Sequence, residues 1–110
     1  MKVTKANAAT VYQLASTAAK YAAELYSKKY GEGPMNCGFA WVDINPATGP
    51  MVQYMKSIGV GRKGYPKGYT IWDPSNSRTQ DMSIKEAGAQ AFAQVMREYG
   101  VNCYAGSRLD

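Results

Sequence analysis

The sequence predicts an α+β fold: an N-terminal helix followed by a ferredoxin-like split β-α-β sheet, in the order strand, helix, strand, strand, helix, strand. Three observations predict it. An alanine-rich stretch over 8–30 carries apolar residues at helical spacing. The runs Met35–Val42 and Tyr69–Trp72 are the two most apolar, as the central first and third strands of that sheet should be. Ser83-Ile84-Lys85-Glu86 is a capping-box pattern that opens a second long helical segment, after which the chain returns to strand character.

The first helix runs from about Ala8 to Tyr30, with Val11, Leu14, Ala15, Ala18, Ala22 and Leu25 as its apolar stripe and Gly31 as its stop. Met35–Val42 is nearly unbroken apolar sequence, which suits a strand covered on both faces. Gly38 and Ala40 share one face and admit a close helix, while Cys37, Phe39 and Trp41 share the other. Asn45-Pro46 breaks the strand, and Pro50 suits the first turn of a helix ending at Ile58.

Residues 60–73 read in two ways. Tyr65-Pro66-Lys67-Gly68 turns a hairpin between an edge strand, Val60–Gly64, and a buried strand, Tyr69–Asp73. Alternatively only the latter is a strand, which gives a three-stranded parallel α/β sheet with helical crossovers. A polar loop leads to a helix from Ile84 to Tyr99, and Val101–Ala105 forms a short last strand. Gly88 inside that helix points to close packing, since glycine there costs about 1 kcal/mol relative to alanine. The whole chain, 1–110, reads as one domain, with residues 1–31 as a helix packed on the sheet and 35–106 as the α+β core.

Composition narrows function by exclusion. The 110 residues are 45% hydrophobic and 19% charged, enough for a core and against wholesale disorder. There is no histidine, so Ser-His and Cys-His nucleophile pairs and His-bearing zinc sites are excluded. No apolar run is long enough to span a membrane, and the N-terminus lacks the pattern of a secretory signal. Cys37 and Cys103 then read as buried thiols of a reducing compartment. The formal charge of +5 favours anionic partners. Between Asp43 and Asp73 the only charged residues are Lys56, Arg62, Lys63 and Lys67.

That acid-free segment holds the main candidate site. Gly61-Arg62-Lys63-Gly64 is a G-x-x-G with two basic residues, a loop type whose amides and side chains hold phosphates; it also reads as a basic edge strand. Lys67-Gly68-Tyr69-Thr70-Ile71-Trp72 resembles the start of the third strand of the RNA-recognition motif, with Phe39 and Trp41 on the neighbouring strand. The apolar stripe of the N-terminal helix needs a partner, however, and the free sheet face is the obvious one. The expectation is therefore that these aromatics are core. Asp43 and Asp73 each follow an apolar strand; only the parallel alternative brings them together for a metal ion. The helix N-terminus near Ser83, with Ser77 and Arg78, is a generic anion site that Glu86 opposes.

Cys37-Gly38-Phe39-Ala40-Trp41-Val42, Thr70-Ile71-Trp72-Asp73-Pro74 and the block from Lys85-Glu86-Ala87-Gly88-Ala89-Gln90-Ala91-Phe92-Ala93 to Ser107-Arg108-Leu109-Asp110 resemble a group of small accessory proteins of tailed bacteriophages. The resemblance covers Met35 to Asp110 and carries over no site residue. It implies a phage accessory protein in the cytoplasm of an infected bacterial host, not secreted and not at a membrane. The resulting expectation is a non-enzymatic, homo-oligomeric binder of a phosphate-bearing small ligand, such as a host nucleotide defence signal, with no cofactor and no metal. Arg62, Lys63 and Lys67 contact phosphate, Tyr65, Tyr69 or Trp72 stacks on a base, and Arg108 assists. The alternatives are a single-stranded nucleic-acid binder and a protein inhibitor of a host enzyme.

Overall fold

A computed structural model describes the chain from Met1 to Asp110. The alanine-rich segment forms α1 (Ala8–Tyr30), followed by β1 (Gly38–Ile44), α2 (Pro50–Ser57), β2 (Arg62–Lys63), β3 (Tyr69–Trp72), α3 (Met82–Glu98) and β4 (Cys103–Leu109). The strands make one sheet in the order β2-β3-β1-β4, and every neighbouring pair is antiparallel. The three-stranded parallel alternative is therefore wrong. No helix is long and apolar enough to cross a membrane.

The fold expectation needs a second correction, in the place of α1. Its buried side is Ala8, Val11, Ala15, Ala19 and Ala23, and this side packs on α3 with α2 alongside. It does not lie on the free face of the sheet. The predicted ferredoxin-like sheet with a helix laid across it is replaced by an α+β architecture in which a layer of three helices covers one face of a four-stranded antiparallel sheet. The stripe itself is rotated from the expected one: Leu14 and Leu25 are about half exposed, at 47% and 49%. Close helix packing selects small side chains at the contact, whereas periodicity weights the large ones. Gly88 belongs to the same contact. A Cβ there would stand 3.1 Å from the Ala19 carbonyl oxygen and 2.6 Å from Ser75 Cβ.

One core of 18 buried residues fills the space between the layers. Ala40, Val42 and Ile44 enter it from β1, Tyr69 and Ile71 from β3, Met51, Val52 and Met55 from α2, and Phe92, Ala93 and Met96 from α3. Thus β1 is covered on one face, not two. Its strand also begins later and ends later than expected, because backbone pairing with β4 sets its length: Gly38 faces Leu109 and Ile44 faces Cys103. The same pairing makes the closing segment a seven-residue strand that extends well past Ala105. Burial raises the Cys103 thiol to about 11, partly offset by the positive charge of Arg97, so it stays a thiol. Cys37, expected to be buried, is exposed.

The start of α3 is also not where the capping-box pattern puts it. Asp81 is the N-cap, accepting from the Ile84 amide at 3.1 Å. The same carboxylate accepts from the Gly33 amide at 2.6 Å and from Asn36 Nδ2 at 2.9 Å, which ties the α1–β1 connection to α3. Ser83 instead accepts from Asn36 Nδ2 at 2.7 Å, and Glu86 accepts from the Ser107 hydroxyl. Burial pushes the Asp81 carboxyl up, but its hydrogen bonds with Gly33, Ile84, Asn36 and Ser83 outweigh this and hold it below its ordinary 3.8.

Asp81→Ala removes a helix cap, leaves the buried Ile84 amide unpaired and releases Gly33 and Asn36, an expected loss of about 2–3 kcal/mol in urea unfolding. Because the folded carboxyl is the stronger acid, its contribution is complete above pH 3.8 and is lost as pH falls through the lower folded value. Acid titration of stability should therefore be shallower in Asp81→Asn than in the wild type below that pH.

Candidate functional site

With α1 in the helical layer, one face of the sheet has nothing over it, and strand alternation decides what it presents. Val42 and its alternate neighbours point into the core, so Phe39, Trp41 and Asp43 point out. The register carries this across the sheet. Thr70 pairs with Asp43 and Trp72 with Trp41 on β3, Arg62 pairs with Thr70 on β2, and Tyr104, Gly106 and Arg108 pair with Asp43, Trp41 and Phe39 on β4. The free face is therefore a cluster of aromatic rings with an arginine on each outer strand.

The rings touch one another. Trp41 and Trp72 have centroids 5.1 Å apart at 52°, and Phe39 meets Trp72 edge-on at 6.3 Å and 85°. Phe39 and Trp72 are nonetheless 38% and 45% exposed, so their outer surfaces are free to stack. Two cations flank Phe39: Arg108 Cζ lies 5.6 Å from the ring centroid and Lys85 Nζ 5.7 Å. Lys85 also donates to the Gly38 carbonyl at 3.1 Å, which holds it at this end of the sheet. Phe39, Arg62, Trp72 and Arg108 together line a depression of about 400 Å³.

Trp41 is held by two devices. Its Nε1 donates to Asp43 at 3.0 Å, while the other Asp43 oxygen accepts from the Thr70 hydroxyl at 2.7 Å. On the far side the indole covers Gly106, where a Cβ would come within 2.7 Å of the ring. Asp43 is thereby committed to orienting the face.

Of the expected ligand-binding residues, the structure brings Arg62, Trp72 and Arg108 together and leaves the rest elsewhere. Tyr69 is 4% exposed, turned into the core, with its hydroxyl donating to the Val60 carbonyl at 2.5 Å. Its assignment as a stacking residue is corrected by alternation, which gives the free face to Trp72. Lys63 pairs with Tyr69 and so belongs to the opposite face from Arg62. Tyr65, 99% exposed, and Lys67 project from the turn between β2 and β3. The G-x-x-G glycines serve that hairpin: a Cβ at Gly61 would meet the Tyr69 ring at 2.5 Å, and one at Gly64 the Lys67 carbonyl at 2.6 Å.

Asp43 and Asp73 lie toward opposite ends of the β1–β3 pair, with the Asp73 amide bonded to the Ala40 carbonyl, and no group of three His, Cys, Asp or Glu side chains is placed to hold a metal ion. Phe39 and Trp41, expected to be core, are the main residues of this face to which the charge pattern does not point; Tyr104 and Lys85 are others. Their signal was present in the alternation Phe39, Trp41, Asp43, because a carboxylate in phase with two aromatics marks a face open to water.

No protein-family profile, curated protein or solved structure matches the chain, so the site carries the functional argument by itself.

Gly106→Ala should lift Trp41 off β4, with an expected loss of about 1–3 kcal/mol and a red-shifted tryptophan emission. Unchanged emission and stability would contradict the packing of Trp41 on Gly106.

Proposed function

We propose that the free sheet face binds single-stranded nucleic acid, stacking bases on Trp72 and Phe39 and holding phosphates with Arg62 and Arg108. The observation that carries this reading is the uncovered aromatic cluster between arginines on the two outer strands. Aromatic faces accept any base, and base–aromatic stacking contributes about 1–3 kcal/mol per base. Arginine offers planar, multidentate donors to phosphate oxygens and stacks on rings as well. A face open from β2 to β4 lets an extended strand continue over Trp41 and Tyr104 beyond the first bases. The net charge of +5 adds attraction at long range.

A second reading, capture of one phosphate-bearing nucleotide, is favoured by the size of the depression, about 400 Å³, which suits a single small ligand. In both readings the ligand meets Arg62, Trp72 and Arg108 rather than the full set expected from the sequence. The resemblance to phage accessory proteins adds a setting, the cytoplasm of an infected bacterium, where both ligand types are abundant.

Titration of a fluorescent oligothymidine ladder, with mononucleotides and cyclic dinucleotides in parallel, separates the readings. Affinity that grows with length and falls steeply with salt is expected for the first. Trp72→Ala should weaken binding by about 1–3 kcal/mol, and Arg62→Ala and Arg108→Ala should each lower the salt slope by about one. Tyr65→Ala should leave affinity near that of the wild type. Tight binding of one small nucleotide, independent of length and persistent in salt, would favour capture, and no binding in either arm would overturn both.

A further inference from the structure

We infer that β4 is a self-association edge, and that two copies of the chain pair their β4 strands antiparallel to make one continuous eight-stranded sheet.

The backbone of β4 is regular along all seven residues, and β1 is its only partner. The Asp110 amide donates to the Cys37 carbonyl at 2.9 Å, and the Asn45 amide to the Asn102 carbonyl at 3.0 Å. These two bonds set the phase of the ladder. Residues 102, 104, 106, 108 and 110 direct their backbone groups at β1, and 103, 105, 107 and 109 direct theirs away from it. Of the outward groups, the Cys103 carbonyl accepts from Arg97 Nη1 at 3.2 Å. Ala105, Ser107 and Leu109 offer a row of three amides and three carbonyls with no partner strand.

Edges that must stay single are blunted by proline, lysine, a bulge or extreme shortness. The other edge of this sheet follows that rule, since β2 is two residues long and both are basic. In contrast, Cys103-Tyr104-Ala105-Gly106-Ser107-Arg108-Leu109 contains no proline, no lysine and no bulge.

The sequence of β4 also fits a copy of itself. A two-fold axis at Gly106 overlaps all seven residues, keeps outward-directed groups opposite one another, and places Tyr104 of each copy beside Arg108 of the other. Both side chains lie on the free face, so each cross-strand pair sets a guanidinium against a phenol ring. Gly106 meets Gly106 at the axis, which removes any side-chain clash on that face. The inference does not need the nucleic-acid reading. If both hold, dimerisation joins two aromatic faces into one platform and doubles the length of strand it can follow.

The test is the mass of the ligand-free chain, by size exclusion with light scattering over a concentration series to about 1 mM. The expected result is a concentration-dependent shift from 12.0 kDa to twice that mass. Tyr104→Lys, an exposed position, should abolish the shift by setting lysine against Arg108, and Tyr104→Lys with Arg108→Glu should restore it. Ala105→Pro removes an outward amide without touching the β1 ladder and should also give the 12.0 kDa species. A wild type that stays at 12.0 kDa at every concentration overturns the inference. A dimer that persists in Tyr104→Lys does so too. Because no nucleic acid is present, neither result bears on the binding assay.

Discussion

The contact between α1 and α3 determines what the rest of the molecule can expose. Both helices meet through small residues, Ala15, Ala19 and Ala23 on one side and Gly88 and Ala89 on the other. Small side chains let helix axes approach closely, and dispersion between two well-matched surfaces then replaces the bulk that leucines would supply. The consequence falls on the opposite side of the protein. An amphipathic helix with large residues on its stripe would seek the apolar face of the sheet, whereas α1 is satisfied within the helical layer. Phe39, Trp41, Trp72 and Tyr104 are left in contact with solvent.

A sheet face of large aromatics in water is an aggregation hazard unless something limits it. Here the limits are polar groups interleaved with the rings. Asp43 accepts from both Trp41 and Thr70, so the most buried part of the face is a satisfied hydrogen-bond network rather than bare hydrocarbon. Arg62 and Arg108 border the rings on the two outer strands, and Lys85 closes one end over Phe39. The same groups that keep the face soluble also give it the donors that a phosphate requires. This coincidence is why the face is read as a binding surface rather than a defect of packing.

Much of this architecture is legible in the residues, and the parts that are not share a cause. Local signals located α1 from Ala8 to Tyr30, put Pro50 at the start of α2, and identified Tyr65-Pro66-Lys67-Gly68 as a turn between strands. The α+β class follows from them. Which surface α1 covers is decided by the sum of many weak contacts, and Leu14 and Leu25 misled because their size suggests burial that the alanines in fact receive. The length of β4 is set by its partner, since nothing in Gly106-Ser107-Arg108-Leu109 is strongly strand-forming without β1 alongside. Helix capping shows the same limit: Ser83 and Glu86 have the right spacing, but Asp81 reaches more donors, two of them from the distant Gly33 and Asn36. For the site, the charge pattern groups Arg62, Lys63 and Lys67, whereas the fold gives only Arg62 to the free face, because charge density along a chain carries no information about faces.

The lysines that fall outside the face still have an electrostatic part in the proposed binding. Lys56, Lys63 and Lys67 are exposed, and Coulomb attraction reaches over a Debye length of about 8 Å at physiological salt. A charge on the opposite side of a single sheet, or at the tip of its hairpin, makes no contact with a strand on the free face and attracts a polyanion mainly at low salt, where the Debye length is longer. Such charges raise the encounter rate and are screened by salt, whereas the arginines act at contact distance, where geometry as well as charge decides the interaction. In the proposed binding, the overall charge of +5 serves encounter, and Arg62 and Arg108 serve register on the rings. Base stacking on Trp72 and Phe39 is, in the same proposal, the part of the affinity expected to persist when salt has removed the rest.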